Sequence, residues 1–174
     1  SLALHLQAQG VEPGDRVAAY LPNIPQAVVA LLAVASLGAV WSVCSPDMGT
    51  AAVLDRFQQI EPKVLIAVDG VHYAGKPLDR SQVASELRAQ LPSVQHMLVL
   101  RTPYASQAVG DSADWQHAVA ADGPQVQDFV PRWLPFDHPL WIVYSSGTTG
   151  LPKPIVHGHG GIVLVALTMK ALHN

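Results

Sequence analysis

Four hydroxyl side chains, Ser145, Ser146, Thr148 and Thr149, fall close together, with Gly147 among them and Gly150 directly after. Lys153 follows three residues later, between Pro152 and Pro154. The two glycines permit positive φ, so successive backbone N–H groups can converge on one point. The hydroxyls add donors, no acidic residue interrupts the tract from Tyr144 to Gly161, and Lys153 adds a compact positive charge. The prolines keep Lys153 extended, because each disfavours helix in the residue before it. Such a loop, leaving the end of the apolar run LWIVYS (Leu140–Ser145), suits a polyphosphate. It is not a Walker A loop, since Leu-Pro precedes the lysine and neither Ser nor Thr follows it. Nor is it the G-x-G-x-x-G dinucleotide fingerprint. A plain polar linker is the alternative reading.

His157 and His159 stand two positions apart, which in an extended segment puts both on one face. Two imidazoles with no nearby Cys or acid make a thin basis for a metal centre, and no metal site is assigned. The remaining His read as surface or structural residues. Cys44 has no partner for an internal disulfide, fits a reducing cytoplasm and is read as a small buried hydrophobe. Trp41 and Trp141 are expected in the core, whereas Trp115 and Trp133 lie in an irregular stretch and could cover a sheet edge. Asp47 is read as a helix N-cap.

The elements that must position these groups alternate. SLALHLQAQG reads as the end of a helix closed by Gly10. RVAAY (Arg16–Tyr20) reads as a strand, Asn23 as the cap of a helix reaching Leu37, and AVWSV (Ala39–Val43) as a strand apolar on both faces. A helix is expected over Gly49–Ile60, then KVLIAV (Lys63–Val68). Asp69-Gly70 before VHY signals a hairpin. Asp79 with Gln82 caps a helix to Leu91, and HMLVL (His96–Leu100) is the next strand. Pro103 to His138 is irregular, LWIVYS is a buried strand, and Gly160–His173 is a helix. This alternation predicts an α/β fold, a mostly parallel sheet flanked by helices.

The composition supports one or two compact units: 174 residues, 49% hydrophobic, 13% charged, with a formal net charge of -3. Nothing forms a basic stripe, so a nucleic-acid partner is excluded. Ala27–Val43 is apolar but broken by Gly38, and is read as a buried helix running into a strand, not as a membrane span.

YSSGTTGLPK (Tyr144–Lys153) closely resembles the phosphate-binding signature of the adenylate-forming enzymes, the family of acyl-CoA synthetases, luciferases and peptide-synthetase adenylation domains. GVEPGDRVAAYLPN (Gly10–Asn23) and LLAVASLGAVWSVCSPD (Leu31–Asp47) resemble that family's early strand and following helix–strand unit. WSVCSPDMG, LDRFQQIEPKVLIAVDG and IVHGHGG most resemble members that activate acetoacetate, with the acetate- and propionate-activating members nearby. Pro154 stands where many members carry Gly, which stiffens the exit of the loop.

The resemblance implies a two-step ligase using ATP, Mg²⁺ and CoA, with Ser145, Ser146, Gly147, Thr148, Thr149, Gly150 and Lys153 on the ATP phosphates. His157 and His159 would border the acyl or adenylate side, and no residue is assigned as catalytic. The family's later motifs, a Tyr-Gly-x-Thr-Glu stretch and a C-terminal catalytic lysine among them, do not occur in this sequence. Residues 1–174 are therefore expected to be part of an N-terminal ATP/acyl-binding domain, inactive alone, with the C-terminal domain absent. Exposed sheet edges would then offer a route to self-association. A non-catalytic nucleotide-binding module is the competing reading.

Overall fold

The computed structural model describes residues 1–146 and 150–172. Helix α1 (Leu2–Ala8) precedes β1 (Arg16–Tyr20), α2 (Pro25–Ser36), β2 (Val40–Cys44), α3 (Thr50–Ile60) and β3 (Val64–Val68). Next come β4 (Gly70–Tyr73), β5 (Lys76–Asp79), α4 (Ser81–Gln90), β6 (His96–Leu100) and β7 (Ala113–Asp114). The chain continues through α5 (Trp115–Val119), α6 (Pro124–Gln127), β8 (Pro139–Ser145), β9 (Lys153–Gly158) and α7 (His159–Leu172).

Seven strands form one sheet in the order β7-β6-β3-β1-β2-β8-β9. Every neighbouring pair is parallel except β8–β9. The central strands are apolar throughout because both faces are covered. Val17 and Ala19 with Val64 and Ile66 pack under α1, α2 and α5, while Ala18 and Tyr20 with Leu65 and Ala67 pack under α3 and α4. Period-two alternation thus feeds two cores from one sheet. The expected α/β architecture is observed.

Several local expectations change. Asp69-Gly70 is not a hairpin turn. β3 stays in the large sheet, and β4 pairs antiparallel with β5 about Ala74-Gly75. Asp69 is buried instead, its carboxylate accepting the Thr102 N–H at 2.7 Å. That bond and the β4–β5 pairing override the local turn preference. Asn23 does not cap α2, whose N-cap is Ile24 with Pro25 at the first turn. Asp47 does not cap α3 either; the N-cap there is Gly49. Asp79 does not take the N-cap of α4, which is Arg80; it stands one position earlier and accepts the Ser81 N–H at 2.8 Å, while Gln82 bonds Glu86 rather than completing a capping box.

Trp115 is core, not an edge cover, while Trp133 is 97% exposed. β8 is less buried than expected, with Ile142 its one buried residue. It is the second strand from the edge, between β2 and the antiparallel edge strand β9, rather than mid-sheet. Cys44 is buried, as read, and its thiol is pushed up to about 11, chiefly by burial. No described helix is long and apolar enough to cross a membrane.

Candidate phosphate-binding site

The β8–β9 hairpin is built from chain segments that meet in antiparallel register, with Trp141 opposite His157, Tyr144 opposite Pro154 and Ser145 opposite Lys153. Proline is tolerated at 154 because β9 is the edge strand. Parallel pairing sets Trp141 of β8 beside Trp41 of β2, and the Ser42 hydroxyl donates to the Ile142 carbonyl at 2.9 Å. The loop therefore leaves the carboxyl end of a strand lying parallel to β2 and β1, the edge at which open α/β sheets take ligands.

At the mouth of the hairpin Ser145, Ser146 and Lys153 are all exposed, and Gly150 has φ of 137°, a conformation that favours glycine. The hydroxyls and the ammonium are thus free to meet an anion. Gly147, Thr148 and Thr149, the rest of the predicted phosphate loop, lie outside the described residues.

Helix α3 reaches both arms of this hairpin. The Tyr144 hydroxyl donates to the Arg56 carbonyl at 2.8 Å, and the Arg56 guanidinium lies 5.8 Å from the Tyr144 ring centroid. One turn on, the Gln59 side-chain amide donates to the Pro152 carbonyl at 2.9 Å. Burial pushes the Tyr144 phenol up to about 12, so it stays a protonated donor at neutral pH. Sequence reasoning missed Arg56 and Gln59. Nothing local links either residue to a loop some 90 positions later.

The two predicted histidines part company. His157 is on β9 with its ring 6.4 Å from that of Trp141. His159 is the first residue of α7, its N–H bonded to the His138 carbonyl at 3.0 Å and its ring 5.8 Å from the His138 ring. The change from strand to helix after Gly158 ends the shared-face geometry. His159 Nε2 is buried without a hydrogen-bond partner among the described residues. Burial, then the charge of His138, lowers the proton affinity of the His159 ring. Among the described residues no three His, Cys, Asp or Glu side chains group to hold a metal ion.

A separate concavity of about 520 Å³ opens at the carboxyl ends of β1, β3 and β6, lined by Asn23, Gln26, Val68, Leu100, Thr102 and Trp115 among others. None of the described loop residues lines it. It sits where the chain, having run from β1 to β2, crosses back to place β3 on the other side of β1.

A parallel sheet with an exposed hydroxyl- and lysine-bearing hairpin at its carboxyl edge is an α/β arrangement of the kind that takes ligands at that edge. Residues 1–174 match the family described as AMP-binding enzyme, and the chain belongs to that family. It is similar to the acetoacetyl-coenzyme A synthetase of Rhizobium meliloti (strain 1021), 46% identical over 177 residues covering 97% of this chain and 26% of that protein. It is similar also to a malonamoyl-CoA synthetase of Penicillium aethiopicum, 40% identical over 91% of this chain and 23% of that one. The solved acetoacetyl-CoA synthetase from Streptomyces lividans superposes with a TM-score of 0.90 at 52% identity, over 99% of this chain and 26% of that one. The chain spans about a quarter of the length of these relatives.

Proposed function

We propose that residues 1–174 are part of the N-terminal ATP- and acyl-binding domain of an AMP-forming acid–CoA ligase whose acid is acetoacetate. The observation that carries this reading is the pairing of Ser145 with Lys153 across the mouth of the β8–β9 hairpin. It gathers hydroxyl and ammonium donors at the carboxyl edge of the sheet. The substrate follows from the relatives. Acetoacetyl and malonamoyl groups both carry a carbonyl β to the carboxylate, so the two named activities converge on a short 3-carbonyl acid.

The reaction has two displacements. A carboxylate oxygen attacks the α-phosphorus of ATP, the bond to the β-phosphate oxygen breaks, and pyrophosphate leaves from an acyl-adenylate. The CoA thiol then attacks the acyl carbon, loses its proton, and AMP departs. The first step brings two anions together, so donors must offset charge on the departing pyrophosphate. Ser145, Ser146, Gly147, Thr148, Thr149 and Gly150 are assigned to the β- and γ-phosphates, with Lys153 neutralising the triphosphate. Mg²⁺ enters as the ATP complex. The described residues offer it no ligand cluster of their own. His157 and His159 receive no role on the acyl or adenylate side: β9 runs from Lys153 opposite Ser145 to Gly158 opposite Pro139, which puts His159 at the end of β8 away from the loop.

Cytoplasmic location, small-molecule substrates and self-association through exposed sheet edges belong to the same proposal; β9 is the outermost strand on its side of the sheet.

ATP–pyrophosphate exchange by the full-length polypeptide, with acetoacetate, acetate and propionate as separate acids, tests the reading. Exchange driven by acetoacetate and lost in Lys153→Ala supports it. Exchange with acetate or propionate instead keeps the chemistry and replaces the substrate. Nucleotide binding with no exchange for any acid favours a non-catalytic binding module.

A further inference from the structure

We propose that Gln59 is a positioning residue for the phosphate loop, the second jaw of a clamp whose first jaw is the Arg56–Tyr144 contact. This inference rests on the phosphate-binding reading of Ser145–Lys153. Arg56 and Gln59 are three positions apart on α3, the spacing that puts two side chains on one helix face. Arg56 fixes the arm that enters the loop, through its carbonyl to the Tyr144 hydroxyl and its guanidinium near the ring. Gln59 fixes the arm that leaves it, by donating to the carbonyl of Pro152.

Among the described residues these are the side-chain hydrogen bonds that tie Tyr144–Lys153 to the rest of the chain. Both come from one helix, so the two ends of the loop are held at a spacing set by a rigid turn of α3. The Pro152 carbonyl belongs to the peptide unit that joins it to Lys153. A bond to that oxygen orients the peptide plane and so sets where Lys153 begins. The flanking prolines limit the neighbouring backbone to extended conformations, Lys153 pairs with Ser145 in the ladder, and the Gln59 amide, which also donates to the Asp55 carbonyl of its own helix, holds the carbonyl side of this peptide unit from outside the hairpin. An exit arm held at Pro152 beforehand loses less freedom on binding ATP, so the bond tightens nucleotide binding. Gln59 touches no reacting atom in this scheme. Its effect is confined to the nucleotide.

The test uses the full-length polypeptide carrying Gln59→Met, which keeps side-chain length and removes the donor. Initial rates of ATP–pyrophosphate exchange give KM for ATP and for acetoacetate. Hydrogen exchange reads the peptide spanning Ser145–Lys153. The expected result is a rise in KM for ATP of about five- to tenfold, as for loss of one hydrogen bond. KM for the acid and the unfolding temperature should hold, and amide exchange should accelerate within Ser145–Lys153 and not in the central strands. Unchanged KM for ATP, or a parallel rise for both substrates with a lower unfolding temperature, overturns the clamp. Lys153→Ala, measured alongside, separates the two claims. If Lys153→Ala weakens ATP and Gln59→Met does not, the clamp alone falls. If Lys153→Ala leaves ATP untouched, the phosphate-loop reading falls and takes the clamp with it.

Discussion

Phe136 and Gly160 are locked together at the start of α7: the Gly160 N–H donates to the Phe136 carbonyl at 2.8 Å, and a β-carbon on Gly160 would overlap the Phe136 ring. The neighbouring His159 N–H bonds the His138 carbonyl in the same way. Residues 136–138 thus strap the first turn of α7, and the strap needs a glycine because the ring crosses where a side chain would stand.

Gly160→Ala is therefore expected to destabilise by roughly 1–3 kcal/mol, as overpacking does, despite the better helix propensity of alanine. Gly161 is the internal control. A β-carbon there meets nothing within 4 Å, so Gly161→Ala should be neutral or stabilising by up to about 1 kcal/mol. Adding Phe136→Ala to Gly160→Ala should recover most of the loss. Denaturant midpoints of the four proteins decide it, and equal effects of the two glycine substitutions would refute the strap.

Cys44 gives a second prediction, from chemistry at a buried site. Its thiol ionises near 11 rather than 9.0, chiefly because burial disfavours the thiolate. The two-unit difference alone cuts the thiolate fraction at pH 8 by about a hundredfold, before any steric protection. Native protein should react with a disulfide reagent at least that much more slowly than protein unfolded in guanidinium. The folded pKa is raised, so the neutral thiol's contribution to stability is complete below pH 9 and fades as pH climbs toward 11. Rapid native labelling at pH 8 would contradict the buried assignment.

Where two-sided burial and a local signal agree, the sequence is readable. Arg16–Tyr20 and His96–Leu100 are predicted residue for residue, because a strand covered on both faces is an unbroken apolar run bounded by polar turns. The hydroxyl-and-lysine loop is legible for a related reason: its composition has a chemical meaning wherever it is placed. Asp69-Gly70 misleads because the bonds that decide its conformation come from Thr102 and Arg80, the latter through its N–H to the Asp69 carbonyl. Trp115 looks peripheral until its helix docks on the β1–β3–β6 face. The link from Gln59 to Pro152 spans 93 positions and leaves no periodic trace. Hydrophobic pattern encodes which face is buried, whereas single polar contacts across the sheet are set by the assembled fold.

His159 supplies the last prediction, which concerns acid. Its ring nitrogen Nε2 is buried without a partner among the described residues, and burial followed by the nearby His138 lowers its proton affinity below the usual 6.5. The folded-state pKa is depressed, so protonation favours the unfolded chain. The neutral ring's contribution is fully present above pH 6.5 and is lost as pH falls through the folded value. Acidifying the full-length polypeptide from pH 7.5 to 5 should therefore lower its denaturant midpoint. His159→Gln, which cannot gain a proton, should flatten part of that slope. His5, lowered by burial and by His96, keeps a share of the slope in the variant. The charge change acts where the strap meets α7, so hydrogen exchange at pH 5.5 should accelerate first at the amides of His159 and Gly160 in the parent protein. Their exchange should respond less to pH in His159→Gln. Identical slopes in parent and variant would mean that burial does not depress the proton affinity of His159, and the account of its neutral ring would fall.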